Sequence, residues 1–383
     1  MSVRWVHVGE VLRPERQPVE IDPGRNYVYI GVRSFARGLV TYPATPGDEL
    51  SKMRYFALPP NALVVSNIKA WEGAVATSGP DTDGVVVSNR FLTYLPRSAD
   101  TAIAFVWHYF ASEPGTAALG KASPGSADRN RTLGIAAFEN LRIPLPDIDE
   151  QRRIAARLDT VAAFGQQLVA ASESRQDAHL LAPPLTQDVF DRSGIATVPA
   201  RELYSTVSDV VHPGDDLAPA RRFVGLEHIE PHTGRRLGEA PVQELTGRKL
   251  RFATGDVLYG YLRPYQNKVW LADGSGLCSV EQYVLRPKAG VDPRLLAYAL
   301  RAERPLAAVN AATHHLQLPR VRTALLGAVE VPDVRGASHL VDPLERVNGR
   351  VLDLIAATAR QRSAMRALLP AARNEEFSRL INS

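Results

Sequence analysis

Two hydrophobic patterns alternate along the chain, and each occurs twice. The first is a succession of short alternating runs punctuated by Gly, Pro, Asn and Asp, over about 145 residues; Val85 to Leu95 and Gln282 to Arg286 are examples. Period-two runs between turn residues predict strands joined by turns. Late in each half a short helix is predicted, over Asp100 to Ser112 and over Asp292 to Arg304. In the second, Asp292-Pro293 offers an N-cap and a first-turn proline. The other pattern is long and helical. From about Asp147 to Leu181, Ile154, Leu158, Val161, Gly165 and Leu168 recur at steps of four and three. From about Asp342 to Leu369, Leu344, Val347, Val351, Leu354, Met365 and Leu368 follow the same kind of track, with Thr358 and Gln361 fitting it less well. That is the 3.5-residue period of a coiled-coil seam. The plainer reading is an amphipathic helix packed on its own domain.

The two halves share more than a plan. Tyr29 to Val32 returns as Phe223 to Leu226, offset by 194, and Asn61 to Val64 as Asp256 to Tyr259, offset by 195. Ser88 to Pro96 returns as Ser279 to Pro287, offset by 191, and Ile143-Pro144 as Val331-Pro332, offset by 188. Leu181 to Phe190 returns as Leu368 to Phe377, offset by 187. Five weak matches in one order, with little drift, indicate an internal duplication. The expected fold class is therefore α+β, with two similar globular domains joined by two long helices that form an antiparallel, pseudo-twofold coiled-coil spacer. The expected boundaries are 1–146 and 194–337 for the domains and 147–193 and 338–383 for the helical regions.

At Ile143 to Leu158, IPLPDIDEQRRIAARL, a strand ending in Pro-x-Pro leads through Glu-Gln-x-x-Ile into a long helix. This join resembles that between a target recognition domain and a conserved spacer helix in specificity subunits of type I restriction-modification systems. Asn61 to Ala76 and Gly255 to Trp270 resemble that family's mid-domain hairpin, and the two-half layout covers the whole chain. Val331 to Val334 departs from the pattern, since no Glu-Gln-x-x-Ile follows it. The resemblance implies a non-catalytic subunit. Each domain would read one half of a split, asymmetric double-stranded DNA site, and the helices would set the gap. The helices would also dock two adenine methyltransferase subunits, with a restriction/translocase subunit as a further partner. It implies no cofactor in this chain. S-adenosylmethionine, and where a nuclease joins, ATP and Mg, would belong to the partners.

Composition fits this reading without proving it. With 383 residues, two or three domains are expected, and 45% apolar residues suffice for real cores. The 45 basic and 41 acidic residues leave +4, a weak hint of a polyanionic partner. The arginine richness is also what a biased genome composition produces. A DNA mimic that sequesters a methyltransferase should be strongly acidic, which this chain is not. One cysteine, Cys278, excludes an internal disulfide and a Cys-based zinc module and suits a reducing compartment. No apolar h-region opens the chain and no long apolar run follows, so a cytoplasmic location and no membrane contact are expected.

Candidate DNA contacts are basic and amide side chains on projecting segments, where Arg suits guanine and Asn or Gln suits adenine. In the second half Arg248, Lys249, Arg251, Arg263 and Lys268 gather with Gln266 and Asn267, interleaved with Tyr259, Tyr261, Tyr265 and Trp270. The aromatics read equally as strand core, the preferred reading for Tyr259 and Trp270. In the first half the matching residues are Asn67, Lys69 and Trp71, with Lys52 and Arg54 before them. A second candidate segment precedes each Pro step: Lys121 to Arg131, with Arg129, Asn130 and Arg131, and Thr313 to Arg322, with His314, His315, Gln317 and Arg320. The plainer reading of both is surface loop.

Signatures of catalysis are missing. There is no G-x-x-x-x-G-K-[ST] loop, no G-x-G-x-x-G, no Asn-Pro-Pro-aromatic motif and no nuclease-type carboxylate-lysine set. His228 to His232 has the outline of a zinc motif, but Pro231 breaks the helix such a motif needs. The alternatives that stay open are a specificity subunit of another methyltransferase-based defence system and a nucleic-acid enzyme with an unrecognised site.

Overall fold

In a computed structural model the described residues are 3–125, 131–173, 178–216, 220, 222–242, 247–313 and 317–382, without the side chains of 171–173. The chain divides into two compact units, Met1–Ala171 with Arg362–Ser383, and Ser172–Gln361.

In the first unit Arg4–His7 pairs antiparallel with Arg142–Leu145 and ties the two ends of the globular part together. A four-stranded sheet has the order Leu12–Pro14, Phe91–Pro96, Leu63–Ser66, Val75–Thr77. A second sheet has the order Pro18–Val19, Tyr55–Ala57, Val85–Ser88, Asn26–Val32, Leu39–Thr41, and Thr45–Pro46 also pairs with Asn26–Val32. Among the described residues of this sheet only the Val85–Ser88/Asn26–Val32 pair is parallel.

The second unit repeats this plan, except that Thr45–Pro46 has no counterpart among the described residues. Thr197–Pro199 pairs with Glu330–Pro332. The four-stranded sheet is Tyr204–Val207, Gln282–Pro287, Val257–Gly260, Val269–Leu271. The other is Val210–Val211, Lys249–Phe252, Gly276–Ser279, Arg222–Val224, Ala240–Pro241, again with one parallel pair, Arg222–Val224 on Gly276–Ser279. The mixed α+β class and the internal duplication are both visible in this topology. One offset needs correction. Leu63 pairs with Tyr94, and Val257 pairs with Leu285, so the mid-domain strands correspond at 194 and not 195. The difference matters because a one-residue slip turns every side chain of a strand to the other face.

Each unit packs its sheets against short helices and against parts of the long ones. Ile103–Phe110 and Pro293–Arg301 occupy the predicted short-helix regions. Asp292 caps the latter, its Oδ1 accepting from Arg294 N at 2.8 Å. The first long helix, Ile148–Glu173, starts where the sequence pattern placed it, with Asp147 Oδ1 accepting from Glu150 N at 2.9 Å. Gln151 of the Glu-Gln-x-x-Ile run is fully buried. Its Nε2 donates to the carbonyls of Asp100 and Pro146, and its Oε1 accepts from Ala102 N. Three residues on, Ile154 enters the core with Leu158. The motif thus staples the helix start to the domain.

The second long helix, Val341–Ile381, runs past its expected end and through Pro370. A helix-interior proline costs about 3 kcal/mol. Burial of Phe377 and Leu380 in the first unit's core, with Phe377 against Phe105 and Tyr109 at 5.4 Å, more than offsets it. Phe190, on Ala182–Ser193, plays the same part in the second unit's core, as the repeat of Leu181–Phe190 in Leu368–Phe377 implied. Within the first unit the two long helices lie side by side and antiparallel. Arg157 pairs with Glu376 at 3.0 Å, and the Cβ position at Gly165 lies 3.8 Å from the carbonyl of Met365. No helix among the described residues is long and apolar enough to cross a membrane.

Candidate nucleic-acid interface

In both units the fold brings together the two segments that the sequence marked separately. In the first, Leu133 N donates to the carbonyl of Asn67 at 2.7 Å, joining the segment before the Pro step to the mid-domain turn. Trp71, on the 3-10 turn Ala70–Glu72, has two cations near its ring: Lys69 Nζ at 5.5 Å and the Arg131 guanidinium at 5.1 Å. Arg54 joins the same edge through the turn at 89–90, since its carbonyl accepts from Asn89 N while that of Arg90 accepts from Asn67 N. Asn67 Oδ1 and Trp71 Nε1 are buried without a partner among the described residues.

The turn 33–38 completes this surface and was not singled out from the sequence. Phe35 N donates to the carbonyl of Glu72 and Ala36 N to that of Gly73, both at 2.8 Å. Ser34 Oγ donates to Glu72 Oε2 and Lys69 Nζ to Glu72 Oε1, each at 2.6 Å. Those bonds hold the Glu72 carboxyl below its ordinary pKa, the Lys69 bond first.

In the second unit Arg263 N donates to the carbonyl of Pro319 at 2.9 Å and Val321 N to that of Tyr261 at 3.0 Å. The stitched segments form one side of an open cavity of about 710 Å³ whose lining includes Arg248, Tyr261, Gln282, Tyr283, Arg320 and Arg322. Tyr261 and Tyr283 stack at 4.7 Å, and Tyr283 Oη donates to the carbonyl of Val321 at 2.8 Å. Among the described residues no acidic side chain lines this cavity. Among the described residues none of its three arginines forms an ion pair, whereas Arg222, Arg235, Arg236, Arg286, Arg294 and Arg335 are all paired. A concave wall of uncompensated guanidinium beside stacked tyrosines is suited to a polyanion carrying aromatic bases. Gln282 Nε2 is buried there without a partner among the described residues.

The individual candidates fare differently. Arg54, Lys69, Arg248, Arg263, Gln317 and Arg320 are exposed. Lys249 is half-buried with Nζ 5.3 Å from the Phe223 ring. Arg131 has its guanidinium committed to the carbonyls of Gly120 and Ser123, at the end of the helix Glu113–Lys121, where a cation complements the helix dipole. Two expectations are corrected. Asn267 is buried, and its Nδ2 donates to the carbonyl of Arg301 at 2.9 Å, so its amide faces the protein. Lys268 Nζ donates to the carbonyl of Leu226 at 2.6 Å, and burial lowers its pKa. Asn267 ends, and Lys268 follows, a turn with Arg263 and Asn267 at positive φ, which periodicity does not reveal. Arg129, Asn130, His314 and His315 lie outside the described residues.

Tyr259 and Trp270 are buried, as the core reading expected, and Cys278 is buried too, which pushes its thiol up to about 12. His228 Nδ1 accepts from Gly225 N, and His232 stacks on His179 at 5.3 Å. Among the described residues no group of three His, Cys, Asp or Glu side chains is placed to hold a metal ion.

No protein-family model matches the chain. A specificity subunit of the EcoDI type I restriction enzyme from Escherichia coli is 30% identical over 107 residues, 27% of this chain and 24% of that protein. The alignment thus spans about a quarter of the curated relative. Two solved structures are similar over nearly the whole chain. One is a chain from a type I restriction-modification system described for its complex assembly and conformational transition. It has a TM-score of 0.71 and 17% identity and covers 98% of this chain and 97% of that one. The other is the HsdS subunit from Thermoanaerobacter tengcongensis, with a TM-score of 0.54, 18% identity and coverage of 98% and 96%.

Proposed function

We propose that this chain, which has the fold of type I specificity subunits, is the DNA-reading and scaffolding subunit of such a system and carries out no chemistry itself. Each unit contacts one half of a bipartite, asymmetric DNA site. Arg54, Asn67 and Lys69 serve the first half-site. Arg248, Lys249, Arg263, Gln317 and Arg320 serve the second, joined by Arg322. The observation that carries the reading is the duplicated surface: one sheet topology twice, each time joining the mid-domain turn to the segment before the Pro step. Because the side chains on the two surfaces differ, the two half-sites differ in sequence.

The long helices act as an antiparallel, pseudo-twofold spacer between the readers. The antiparallel contacts at Arg157–Glu376 and Gly165–Met365 support this. They also form the docking surface for two adenine methyltransferase subunits, for which the exposed Phe164, Leu354 and Leu368 provide apolar anchors. A restriction/translocase subunit can complete the assembly. S-adenosylmethionine, and ATP with Mg, would be bound by those partners, in the cytoplasm.

The test is co-expression with a methyltransferase subunit of the same system, followed by mapping of methylated adenines across a genome. A split motif with two unlike halves is expected. A continuous motif, or methylation by this chain alone, would overturn the proposal.

A further inference from the structure

Among the described residues Phe35 is the most exposed large apolar side chain, at 70%. A single exposed phenylalanine is ordinary on a protein surface. Its backbone is not: Phe35 and Ala36 both lie at positive φ, 60° and 50°. Bulky L-residues avoid that region because Cβ crowds the following carbonyl. Glycine would occupy both positions without strain, yet neither is glycine. The strain is held in place by backbone bonds from Phe35 and Ala36 to the Glu72 and Gly73 carbonyls and by the Ser34–Glu72 hydrogen bond. The turn thus projects an aromatic ring into solvent from a braced support. Strained backbone that earns no packing in return is characteristic of functional positions.

The surroundings indicate what the ring meets. Arg33 and Arg37 flank it, both exposed, with the Arg37 guanidinium 5.6 Å from the ring. Among the described residues neither arginine forms an ion pair. Glu72, the acid bonded to this turn, is occupied by Ser34 and Lys69. The same braced segment carries Lys69 and Trp71. An apolar wedge between unpaired cations matches the device by which proteins part a base step while gripping the adjoining phosphates. Among the described residues the second unit has no counterpart at the matching position. There the strand Arg222–Val224 leads into Gly225 and the 3-10 turn Leu226–His228, where Leu226 is half-buried and Ile229 buried.

We propose that Phe35 is a wedge that enters between two adjacent base pairs of the first half-site and unstacks them, a distortion the second half-site does not undergo. The inference rests on the DNA-reading role proposed above. It makes part of the first half-site's specificity a matter of which base step is easily opened, with no hydrogen bond to a base edge.

The experiment uses the complex of the full chain with its methyltransferase subunits and duplexes carrying the mapped site. 2-Aminopurine is placed in turn at positions through both half-sites. Wild-type protein should raise the fluorescence at one step of the first half-site. Phe35→Ala should lose that rise, Phe35→Leu should keep part of it, and the profile over the second half-site should be unchanged in all three. Profiles identical in wild type and Phe35→Ala, with the split site still bound, overturn the wedge alone. Failure of the wild-type complex to prefer the split site overturns the DNA-reading role and the wedge with it. A Phe35→Ala effect spread equally over both half-sites would mark a general loss of structure and also overturn the wedge.

Discussion

His108 is fully buried beside the second long helix, between two partners of opposite charge. Arg373 Nε donates to its Nδ1 at 2.9 Å, so that nitrogen must carry a lone pair, and Nε2 donates to Asp159 Oδ1 at 3.0 Å. The ring is therefore neutral. Burial first, and then the Arg373 charge, lower its pKa to about 4, against the smaller opposing pull of Asp159. In the unfolded chain the same histidine titrates near 6.5. Between those values the unfolded state binds the extra proton, so stability rises with pH across the window and is lost as pH falls from about 6.5 to about 4. The loss should be on the order of 2–3 kcal/mol. His108→Gln, whose amide can still donate to Asp159 and accept from Arg373, should flatten the urea-midpoint profile between pH 7 and pH 4.5; an unchanged slope would show that His108 does not titrate there. At the reading surface, Gln317→Ala should relax or change the second half-site alone, with a cost of about 1–3 kcal/mol if its amide reads a base. Arg248→Ala should weaken binding uniformly and lower the salt slope by about 1 if it grips a phosphate. Methylome sequencing and salt-dependent binding separate the two. The sequence signalled these residues by type and clustering. It could not signal Asn267 and Lys268 turning inward, because that depends on the left-handed turn between them and Arg263.

Among the elements, the join at Ile143 to Leu158 was fully legible, because each of its residues has one local job: Asp147 caps, Gln151 staples and Ile154 packs. The second helix was legible in period but only partly in phase. Thr358 and Met365 are half-buried as the track requires, but Leu354, Gln361 and Leu368 are exposed, and Ile355, Arg362 and Leu369 are half-buried instead. Apolar identity misled because leucines also occupy exposed positions, as Leu354 and Leu368 do. Pro370 misled in the same way: a local breaker was overridden by the distant burial of Phe377. The braced turn at Phe35 left no mark in the pattern, since a positive φ at a bulky residue is imposed by bonds to a segment almost forty positions away.

For the whole molecule, the net charge of +4 says little, because surface arginines such as Arg222, Arg286, Arg294 and Arg335 are neutralised in ion pairs. Among the described residues Arg33 and Arg37 in the first unit, and Arg248, Arg320 and Arg322 in the second, form no ion pair, and they lie at the surfaces proposed to read DNA. The central claim is that two readers are held apart by a helical ruler, and a ruler can be lengthened. Inserting seven residues into each long helix, after Gly165 in one and before Met365 in the other, keeps the seam in phase and adds about 10 Å. At 3.4 Å per base pair that is about three base pairs. Mapping the adenines methylated by the altered complex should return the same two half-sites with the gap longer by about three. The same gap, or altered half-sites, would contradict the account.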